Sequence, residues 1–427
     1  MRHAQIHEAG RAVRGSEALA HFSKFTVEKA LAAILEQVGL LAARGRVLAE
    51  EIVAGLSVPP CDNSAMDGYA VRFGDIEGAT PEQPVRLPVI GDLPAGAVAA
   101  APLQPGQALR IMTGAPIPVG ADTVIKQEDT RVEGDTVFIQ HNQLSGINIR
   151  RAGEDITKGA VVLAPGTLLG PAHTGVLASL KRAIVPVFQR PRVAVLSTGD
   201  ELVDIDGELG PGKIVSSNSY TLAGLAADAG AEPIMLGIAR DTKEALRERL
   251  REALRCDVII TSGGVSVGDY DFVKDVLQEL GMDMKFCKVA MSPGQPLAFG
   301  IIEGRPAFGL PGNPVAAMIS FEQFVRPALR KMAGHARLFR TTVEAVAAER
   351  VETQRGKKYF IRCRLTRTEK GLRASTTGEQ GSGMLCSLAQ ATGRMIVPES
   401  IATINSGDRV KVQILDPNFD FTQNPDY

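Results

Sequence analysis

Residues 257–271, DVIITSGGVSVGDYD, predict a buried strand that runs through a glycine-rich loop toward a helix. Paired glycines let a backbone approach a ligand closely, and a helix N-terminus presents free N–H groups, so the loop is suited to an anion. It matches neither G-x-x-x-x-G-K-[ST] nor G-x-G-x-x-G. A tight strand-to-helix turn without a ligand is the alternative. Asp269 and Asp271 favour a ligand site, because a bridging divalent cation would explain acidic residues beside a phosphate.

The glycine-rich loop belongs to a stretch, 191–333, in which predicted strands and helices alternate. This order is typical of an open, mostly parallel sheet with helices on both faces, and such sheets bind ligands at the carboxyl ends of their strands. The predicted strands are RVAVLS, IMLGIA, DVIITS and PAFGL, and the predicted helices are 218–230, 242–255, 272–280 and 313–329.

Two further loops at strand ends in this stretch are polar. STGDEL, 197–202, carries Asp200 and Glu201, and GLPGNPVAA, 309–317, opens a helix with Asn313 as N-cap and Pro314 in the first turn. The carboxyl ends of parallel strands meet at one edge, so the three loops are expected to converge on one crevice. Three ordinary turns are the alternative.

The remainder of the chain has a different texture. Apolar residues at helical spacing predict a helix in 26–39, ending at Gly39, and a second, short helix over 45–54. Residues 55–150 are rich in Pro, Gly and short β-type runs, 155–190 add β segments and a helix near 171–180, and YFIRCRLTR alternates apolar and basic residues as a half-exposed strand does.

The sequence therefore predicts a multidomain α/β plus β protein, in which a central βα domain is flanked by small β-rich domains and a C-terminal β domain. The predicted parts are an extension, 1–21; a discontinuous domain, 22–54 with 151–190; a small β domain, 55–150; the βα domain, 191–333; and the C-terminal β domain, 334–427.

Two segments of the β-rich part combine turn residues with charge. They are PPCDNSAMDGYAVR, 59–72, and NIRRAGEDI, 148–156, which sets Arg150 and Arg151 near Glu154 and Asp155. Each is a candidate part of a site, and a surface turn or a structural ion pair is the alternative.

The composition of the chain argues against several classes of function. The 427 residues carry a net charge of −1 and no Trp, which argues against a polyanion binder that works by bulk charge and against a base-stacking surface. Five well-separated cysteines argue against disulfides or structural zinc and fit a reducing cytoplasm. No segment resembles a membrane span or a secretory signal. Without a recognisable protein nucleophile, the chemistry is expected to rest on positioning, electrostatics and a metal ion.

Residues 334–373 have a local excess of basic side chains, with 11 Lys and Arg against 4 Asp and Glu. A solvated sheet face is the favoured interpretation and a nucleic-acid patch is the alternative, because the basic residues are interleaved with little aromatic sequence beyond Tyr359 and Phe360.

Taken together, these segments resemble the molybdopterin molybdenumtransferase family, which includes the gephyrin E domain. The resemblance covers roughly residues 23–427. It rests on DNSAMDGYAVR (62–72), RIMTGAPIPVGAD (110–122), NIRRAGEDI (148–156), STGDEL (197–202), SGGVSVGDYD (262–271), PGQPLAFG (293–300) and GLPGNPVAA (309–317).

The resemblance implies an elongated four-domain homodimer, with each active site between the βα domain of one subunit and other domains of its partner. Adenylylated molybdopterin and molybdate would be the substrates, with Mg²⁺ required. The adenylate would be hydrolysed, AMP would leave, and the pterin's dithiolene sulfurs would bind molybdenum. A contact with the molybdopterin adenylyltransferase is a further expectation, and neither nucleic acid nor a membrane is an expected partner.

The resemblance also implies roles for individual residues. The family's functional acids match Asp67, Asp155, Glu201, Asp241 and Asp271, and we predict that Glu201 and Asp271 hold Mg²⁺. The matched cofactor- or oxyanion-binding positions are Thr113, Arg150, Ser262, Gly263, Gly264, Ser266, Lys274, Lys288, Pro311 and Pro314.

The chain departs from the family at one segment. Where the family commonly has basic residues in a K-P-G-K-P-type run, this chain has Ser292 and Gln295. The departure leaves open a paralogue of altered specificity, including one that uses tungstate. A stand-alone adenylyltransferase and a gephyrin-like scaffold are further alternatives, disfavoured respectively by the chain's length and by the absence of a fused adenylyltransferase domain.

Overall fold

The computed structural model of the chain describes residues 35–141, 144–264 and 272–419. The described residues form two compact units: one lies within residues 37–187, and the other comprises 188–264 and 272–419 with 35 and 36. We call them the N-terminal unit and the C-terminal unit. Among the described helices, none combines the length and the apolar character needed to cross a membrane. The division into smaller domains stays a prediction.

The N-terminal unit is built mainly of strands. A six-stranded sheet has the order β7-β4-β6-β5-β9-β8, and three two-stranded sheets pair β1 with β12, β2 with β11 and β3 with β10. The elements are β1 (Leu35–Gly39), β2 (Ile52–Val53), β3 (Asn63–Ser64), β4 (Gly68–Val71), α1 (Phe73–Ile76), β5 (Val85–Leu93), β6 (Ala108–Ile111), β7 (Thr123–Lys126), β8 (Thr130–Glu133), β9 (Thr136–Ile139), β10 (Ile149–Arg150), β11 (Val161–Leu163), α2 (Pro171–Ser179) and β12 (Ile184–Phe188).

Strand alternation gives the six-stranded sheet two apolar faces. Successive residues of a strand point to opposite faces. Tyr69 and Val71 accordingly pack in one buried cluster with Ile125 and Val137, while Ala70 packs in another. Both faces are therefore covered, which explains why β4 is buried along its whole length.

The helices predicted over 26–39 and 45–54 are wrong where the structure describes them. Leu35–Gly39 is strand β1, and 45–54 contains β2 and the isolated bridges Val47–Leu168 and Leu48–Val187. The apolar spacing fitted a helix, but pairing with distant strands satisfies the backbone instead. The part of the first predicted helix before Leu35 lies outside the described residues. The helix predicted near 171–180 is confirmed as α2.

The C-terminal unit contains the predicted α/β sheet, with strand order β16-β13-β17-β21-β20-β18. The pairs from β16 to β21 are parallel, and β20 and β18 add antiparallel strands. The elements are β13 (Arg192–Thr198), β14 (Leu202–Val203), β15 (Ile214–Val215), α3 (Ser217–Asp228), β16 (Glu232–Ala239), α4 (Lys243–Ala253), β17 (Val258–Ser262), α5 (Val273–Glu279), β18 (Asp283–Lys288), β19 (Met291–Ser292), β20 (Pro296–Ile302), β21 (Arg305–Leu310), α6 (Pro314–Ser320) and α7 (Arg326–Met332).

Helices cover both faces of this sheet. Leu196 packs with Leu246 of α4 and Val276 of α5 in one cluster, whereas Val195 packs with Leu222 of α3 and Leu329 of α7 in another. The mostly parallel sheet of the predicted fold class is confirmed. A π-helical turn, Phe321–Val325, joins α6 to α7.

The remainder of the C-terminal unit is a β-barrel-like sheet with the order β19-β24-β25-β22-β28-β26, closed by a further pairing of β24 with β26. Its short first strand, β19, comes from the α/β part and pairs in parallel with Lys358 and Tyr359 of β24. The further elements are β22 (Thr342–Ala347), β23 (Val351–Glu352), β24 (Lys358–Thr368), β25 (Gly371–Thr376), α8 (Leu385–Ala389), β26 (Gly393–Val397), β27 (Thr403–Ile404) and β28 (Arg409–Ile414). The predicted C-terminal β structure is confirmed.

Strand β24 is less exposed than its alternating sequence predicted. Arg362, expected on a solvated face, is 0% exposed. Its guanidinium donates to Ser387 Oγ at 2.6 Å and to the carbonyl oxygens of Glu379 and Gly381, both at 3.1 Å. These acceptors compensate for part of the lost water, while Nη1 is buried without a hydrogen-bond partner among the described residues.

Candidate active site at the carboxyl ends of the parallel strands

A crevice of about 490 Å³ opens at the carboxyl ends of the parallel strands. The loops after β13, β16, β17 and β21 all contribute to it, so the three predicted polar loops do converge. Its lining includes Thr198, Gly199, Glu201, Ser216, Asn218, Asp241, Ser262, Gly263, Gly264, Pro296, Pro311, Gly312, Asn313 and Pro314.

The two glycines after β17 are required by the close approach of atoms from Thr198 and Val273. Gly263 has φ +95°, and a Cβ atom there would lie 2.6 Å from the carbonyl oxygen of Thr198. Gly264 has φ +65°, and its Cβ would lie 2.4 Å from a methyl carbon of Val273. Both positions combine a left-handed conformation with missing space, so only glycine fits. The exposed backbone they leave faces the crevice.

Asn218, at the start of α3, forms hydrogen bonds with the end of β17 and with the loop after β21. Its Nδ2 donates to Ser262 Oγ at 2.7 Å and to the carbonyl oxygen of Gly312 at 2.8 Å. Asn218 is 8% exposed, and within the described part of the chain its Oδ1 and Thr198 Oγ1 are buried without a hydrogen-bond partner. Such unsatisfied atoms are uncommon in proteins and are consistent with a ligand site. Asn218 is not among the predicted site residues, and the signal in the sequence that could have indicated it is the polar run Ser216–Ser219.

The acidic side of the crevice comes from the loops after β13 and β16. Glu201 lies over Gly199, where a Cβ atom would be 2.5 Å from Glu201 Oε2. The Asp200 N–H donates to Asp241 Oδ2 and the Asp241 N–H donates to Asp200 Oδ1, both at 3.3 Å. These reciprocal bonds hold the two loops together, and Asp241 and Glu201 both line the crevice.

This donor set fits Mg²⁺ when a phosphate supplies further ligands. Mg²⁺ is commonly held by one or two carboxylates together with water and substrate phosphates. Glu201 and Asp241 offer that number of carboxylates, and the described ranges contain no group of three or more acidic, His or Cys side chains arranged around a metal. Asp271, the second predicted ligand, lies outside the described residues, as do Asp269 and Ser266.

The N-terminal unit brings three of the quoted motifs together. Thr113 donates through both its N–H and its hydroxyl to Asp67 Oδ1, at 2.7 Å each. The Thr113 N–H is the main reason that the pKa of Asp67 lies below its usual value. Asp62 accepts from Arg151 Nη1 at 2.7 Å and from the Ala152 N–H at 2.8 Å. The segment 148–156 thus forms an ion pair, as the structural alternative proposed, and that pair links it to the segment 59–72.

Several of the other predicted residues lie outside the described lining of the crevice. Pro296 lines the crevice, whereas Ser292, Gln295, Lys274 and Lys288 are not part of its described lining. Within the N-terminal unit, Arg150 is an exposed residue of β10 paired with Asn63, and the Asp155 N–H donates to the Val58 carbonyl oxygen at 3.1 Å.

Three known family models together match most of the chain. The MoeA N-terminal region (domain I and II) matches residues 17–180, a probable molybdopterin binding domain matches 194–331, and the MoeA C-terminal region (domain IV) matches 344–415.

Individual relatives agree with these matches. A molybdopterin molybdenumtransferase of Nostoc is 42% identical, covering 88% of each chain. A molybdopterin molybdenumtransferase 2 of Mycobacterium tuberculosis is 44% identical, covering 88% of this chain and 94% of that protein. The crystal structure of a molybdopterin biosynthesis MoeA protein from Pyrococcus horikoshii superimposes with a TM-score of 0.79 at 34% identity, covering 92% of this chain and 99% of that one. The chain belongs to the molybdopterin molybdenumtransferase family.

Proposed function

We propose that this chain transfers molybdenum from molybdate to adenylylated molybdopterin, with hydrolysis of the adenylate and release of AMP. The observation that carries the proposal is the crevice itself: a glycine cradle and two carboxylates meet at the carboxyl ends of neighbouring parallel strands. That combination suits a phosphate-bearing substrate that is cleaved with the help of a divalent cation.

In this proposal, different residues of the crevice admit the phosphates, position the loops and bind Mg²⁺. Gly263 and Gly264 let the substrate's phosphates approach the backbone, and Asn218 keeps the loops after β17 and β21 at a fixed distance. Glu201 and Asp241 would hold Mg²⁺ against the phosphates. Mg²⁺, when bound, stabilises the negative charge that develops on the phosphate oxygens as AMP leaves.

The sulfur ligands of molybdenum would come from the substrate. None of the chain's five cysteines lines the crevice as far as its lining is described. Burial raises the pKa of Cys256 and raises the pKa of Cys363 to about 12, so neither is a thiolate near neutral pH. The dithiolene of molybdopterin therefore supplies the thiolates in this proposal.

The proposal is tested by assembling the cofactor in vitro from adenylylated molybdopterin, Mg²⁺ and molybdate. We expect AMP release and the appearance of active cofactor in stoichiometric amounts, measured by chromatography and by reconstitution of an apo-molybdoenzyme. A parallel reaction with tungstate measures oxyanion preference. Binding of the adenylylated substrate without AMP release under any oxyanion would instead support a scaffold role.

Adding positive charge beside the crevice is expected to strengthen molybdate use. Ser292 is half-buried, and the exposed Gln295 directly precedes the lining residue Pro296. We propose that lysine side chains at these two positions approach the mouth of the crevice. A charge-assisted bond contributes about 1 kcal/mol more than a neutral one. The double variant Ser292→Lys, Gln295→Lys should therefore need several-fold less molybdate for half-saturation, with greater sensitivity to salt.

The matched control is Ser292→Met, Gln295→Met, which adds similar unbranched side chains without charge. Unchanged molybdate dependence in the lysine variant would show that these positions do not belong to the oxyanion subsite.

We also propose that the chain works as a homodimer, as the family resemblance implies, and that it receives its substrate by contact with the molybdopterin adenylyltransferase. Sedimentation of the purified chain tests the first statement, and a stable, fully active monomer would contradict it. The cytoplasmic location stays a prediction from the cysteine pattern.

A further inference from the structure

A second cavity, of about 340 Å³, lies beside α7 and has an arginine-rich lining. Arg326 and Arg330 come from α7, and Arg337 and Arg340 come from the segment that leads into the barrel-like sheet. We call this cavity the arginine pocket. The rest of its described lining is Phe339, Thr341, Ile414, Asp416 and Phe419. It shares no described lining residue with the crevice.

The carboxylates near the arginine pocket are already engaged. Buried Glu322 accepts two bonds from Arg340, at 2.7 and 2.8 Å, and its Oε2 also lies 3.4 Å from Arg394 and 3.9 Å from Arg326. One carboxylate is thus shared among three guanidinium groups. Asp416, the acidic residue of the described lining, accepts the Asn418 N–H at 2.8 Å. Asp228 is a further carboxylate that acts on Arg326 and Arg340. The four arginines of the pocket and Arg394 still outnumber these three carboxylates, so positive charge exceeds negative charge here.

The hydrogen-bond partners of Arg330 and Arg337 agree with an excess of positive charge in the arginine pocket. The guanidinium of Arg330 forms hydrogen bonds with two neutral groups, the Arg337 carbonyl oxygen at 2.8 Å and His335 Nδ1 at 3.2 Å, so neither bond neutralises its charge. The pKa of His335 is lowered to about 4 by burial, which is the largest cause, and also by the positive charges of Arg330 and Arg326. The His335 ring is therefore neutral near pH 7 and does not change the charge balance. Arg337 is exposed and, among the described residues, has no carboxylate within ion-pair distance.

We propose that the arginine pocket binds a tetrahedral dianion of the phosphate class, either free or as the phosphate group of a small ester. Arginine presents a planar set of donors that matches phosphate oxygens two at a time. The volume is at the small end for organic ligands. Phe339 and Phe419 offer apolar surface to the organic part of an ester. The proposal is independent of molybdenum insertion, because the crevice and the pocket are lined by different residues.

The test is isothermal titration calorimetry of the full chain at low salt, with inorganic phosphate, glycerol 3-phosphate and glycerol as probes. Wild type is expected to bind both phosphates saturably and not to bind glycerol. Arg337→Ala keeps the backbone carbonyl that Arg330 uses, and should weaken phosphate binding at least about fivefold. The control Arg350→Ala removes an exposed arginine paired with Glu352 and should leave phosphate binding unchanged.

The expected results separate the pocket from the crevice. Arg337→Ala should retain wild-type molybdenum insertion, so its loss of phosphate affinity cannot come from the active site. Tighter binding of glycerol 3-phosphate than of inorganic phosphate would identify an ester as the ligand, and equal binding would identify the free anion. Absence of saturable binding with millimolar phosphate, or equal affinity in Arg337→Ala and wild type, would overturn the proposal.

Discussion

Replacing Glu201 by Gln is expected to lower the rate of AMP release by about a hundredfold or more. The carboxylate lies over Gly199 in the crevice, and the amide keeps its shape while removing the charge that would hold Mg²⁺. The rate should be measured across a Mg²⁺ titration, where the variant should also need more Mg²⁺ for half-saturation. Its thermal unfolding midpoint should match that of the wild type, because no described ion pair is lost.

Glu208→Gln is the matched control, since Glu208 is exposed on the chain between β14 and β15 and does not line the crevice. It should keep the wild-type rate and Mg²⁺ dependence. If Glu201→Gln turns over normally at low Mg²⁺, Glu201 has no part in binding the metal.

Replacing Glu322 by Gln is expected to cost about 3–5 kcal/mol of unfolding free energy. The carboxylate is buried in the π-helical turn, accepts two hydrogen bonds from Arg340, and forms ion pairs with Arg326 and with Arg394, which is 1% exposed. Neutralising it leaves the buried Arg394 without its compensating carboxylate and weakens the compensation of Arg326 and Arg340, on which Asp228 also acts. Urea unfolding at neutral pH measures the effect, and Glu352→Gln, in an exposed pair with Arg350, should cost less than about 1 kcal/mol.

The pH dependence of the Glu322 effect has a definite sign. Burial acts to raise the pKa of Glu322, but the bonds from Arg340 and the charges of Arg394 and Arg326 outweigh it, so the pKa is lowered from 4.5. A depressed carboxyl pKa stabilises the fold above the unfolded value, and the stabilisation is lost as pH falls through the folded value. The difference between wild type and Glu322→Gln should therefore be full above pH 4.5 and shrink below it. A difference that stays constant on acidification would mean that the charge of Glu322 is not the cause.

The α/β part of the fold could be predicted because its signals are local. Residues 193–196 of β13 form a continuous apolar run, which is typical of a strand buried on both faces. The helix predicted over 242–255 is observed as α4, and the structure adds a cap, in which Thr242 Oγ1 accepts the Ala245 N–H at 3.3 Å. Convergence of the loops then follows from the parallel order of the strands.

Other features depend on partners far away in the sequence. Strand β1 exists because β12 pairs with it, and no local pattern around Leu35–Gly39 reveals that partner. Arg362 sits in an alternating run that indicates exposure, and its burial depends on acceptors contributed by residues 379–387. Asn218 was predicted only as part of a helix, because its role depends on Ser262 and Gly312.

Strand β19 has a practical consequence for anyone who divides this chain. Met291 and Ser292 come from the α/β part but complete the backbone pairing of Lys358 and Tyr359 in the barrel-like sheet, and Met291 is buried with Val315, Ile319 and Phe360. A fragment that starts at residue 334 would expose that strand edge and the apolar ring of Phe360 together. Exposed edges with apolar side chains recruit strands from other molecules. Such a fragment would self-associate unless a peptide carrying Met291 and Ser292 were supplied with it.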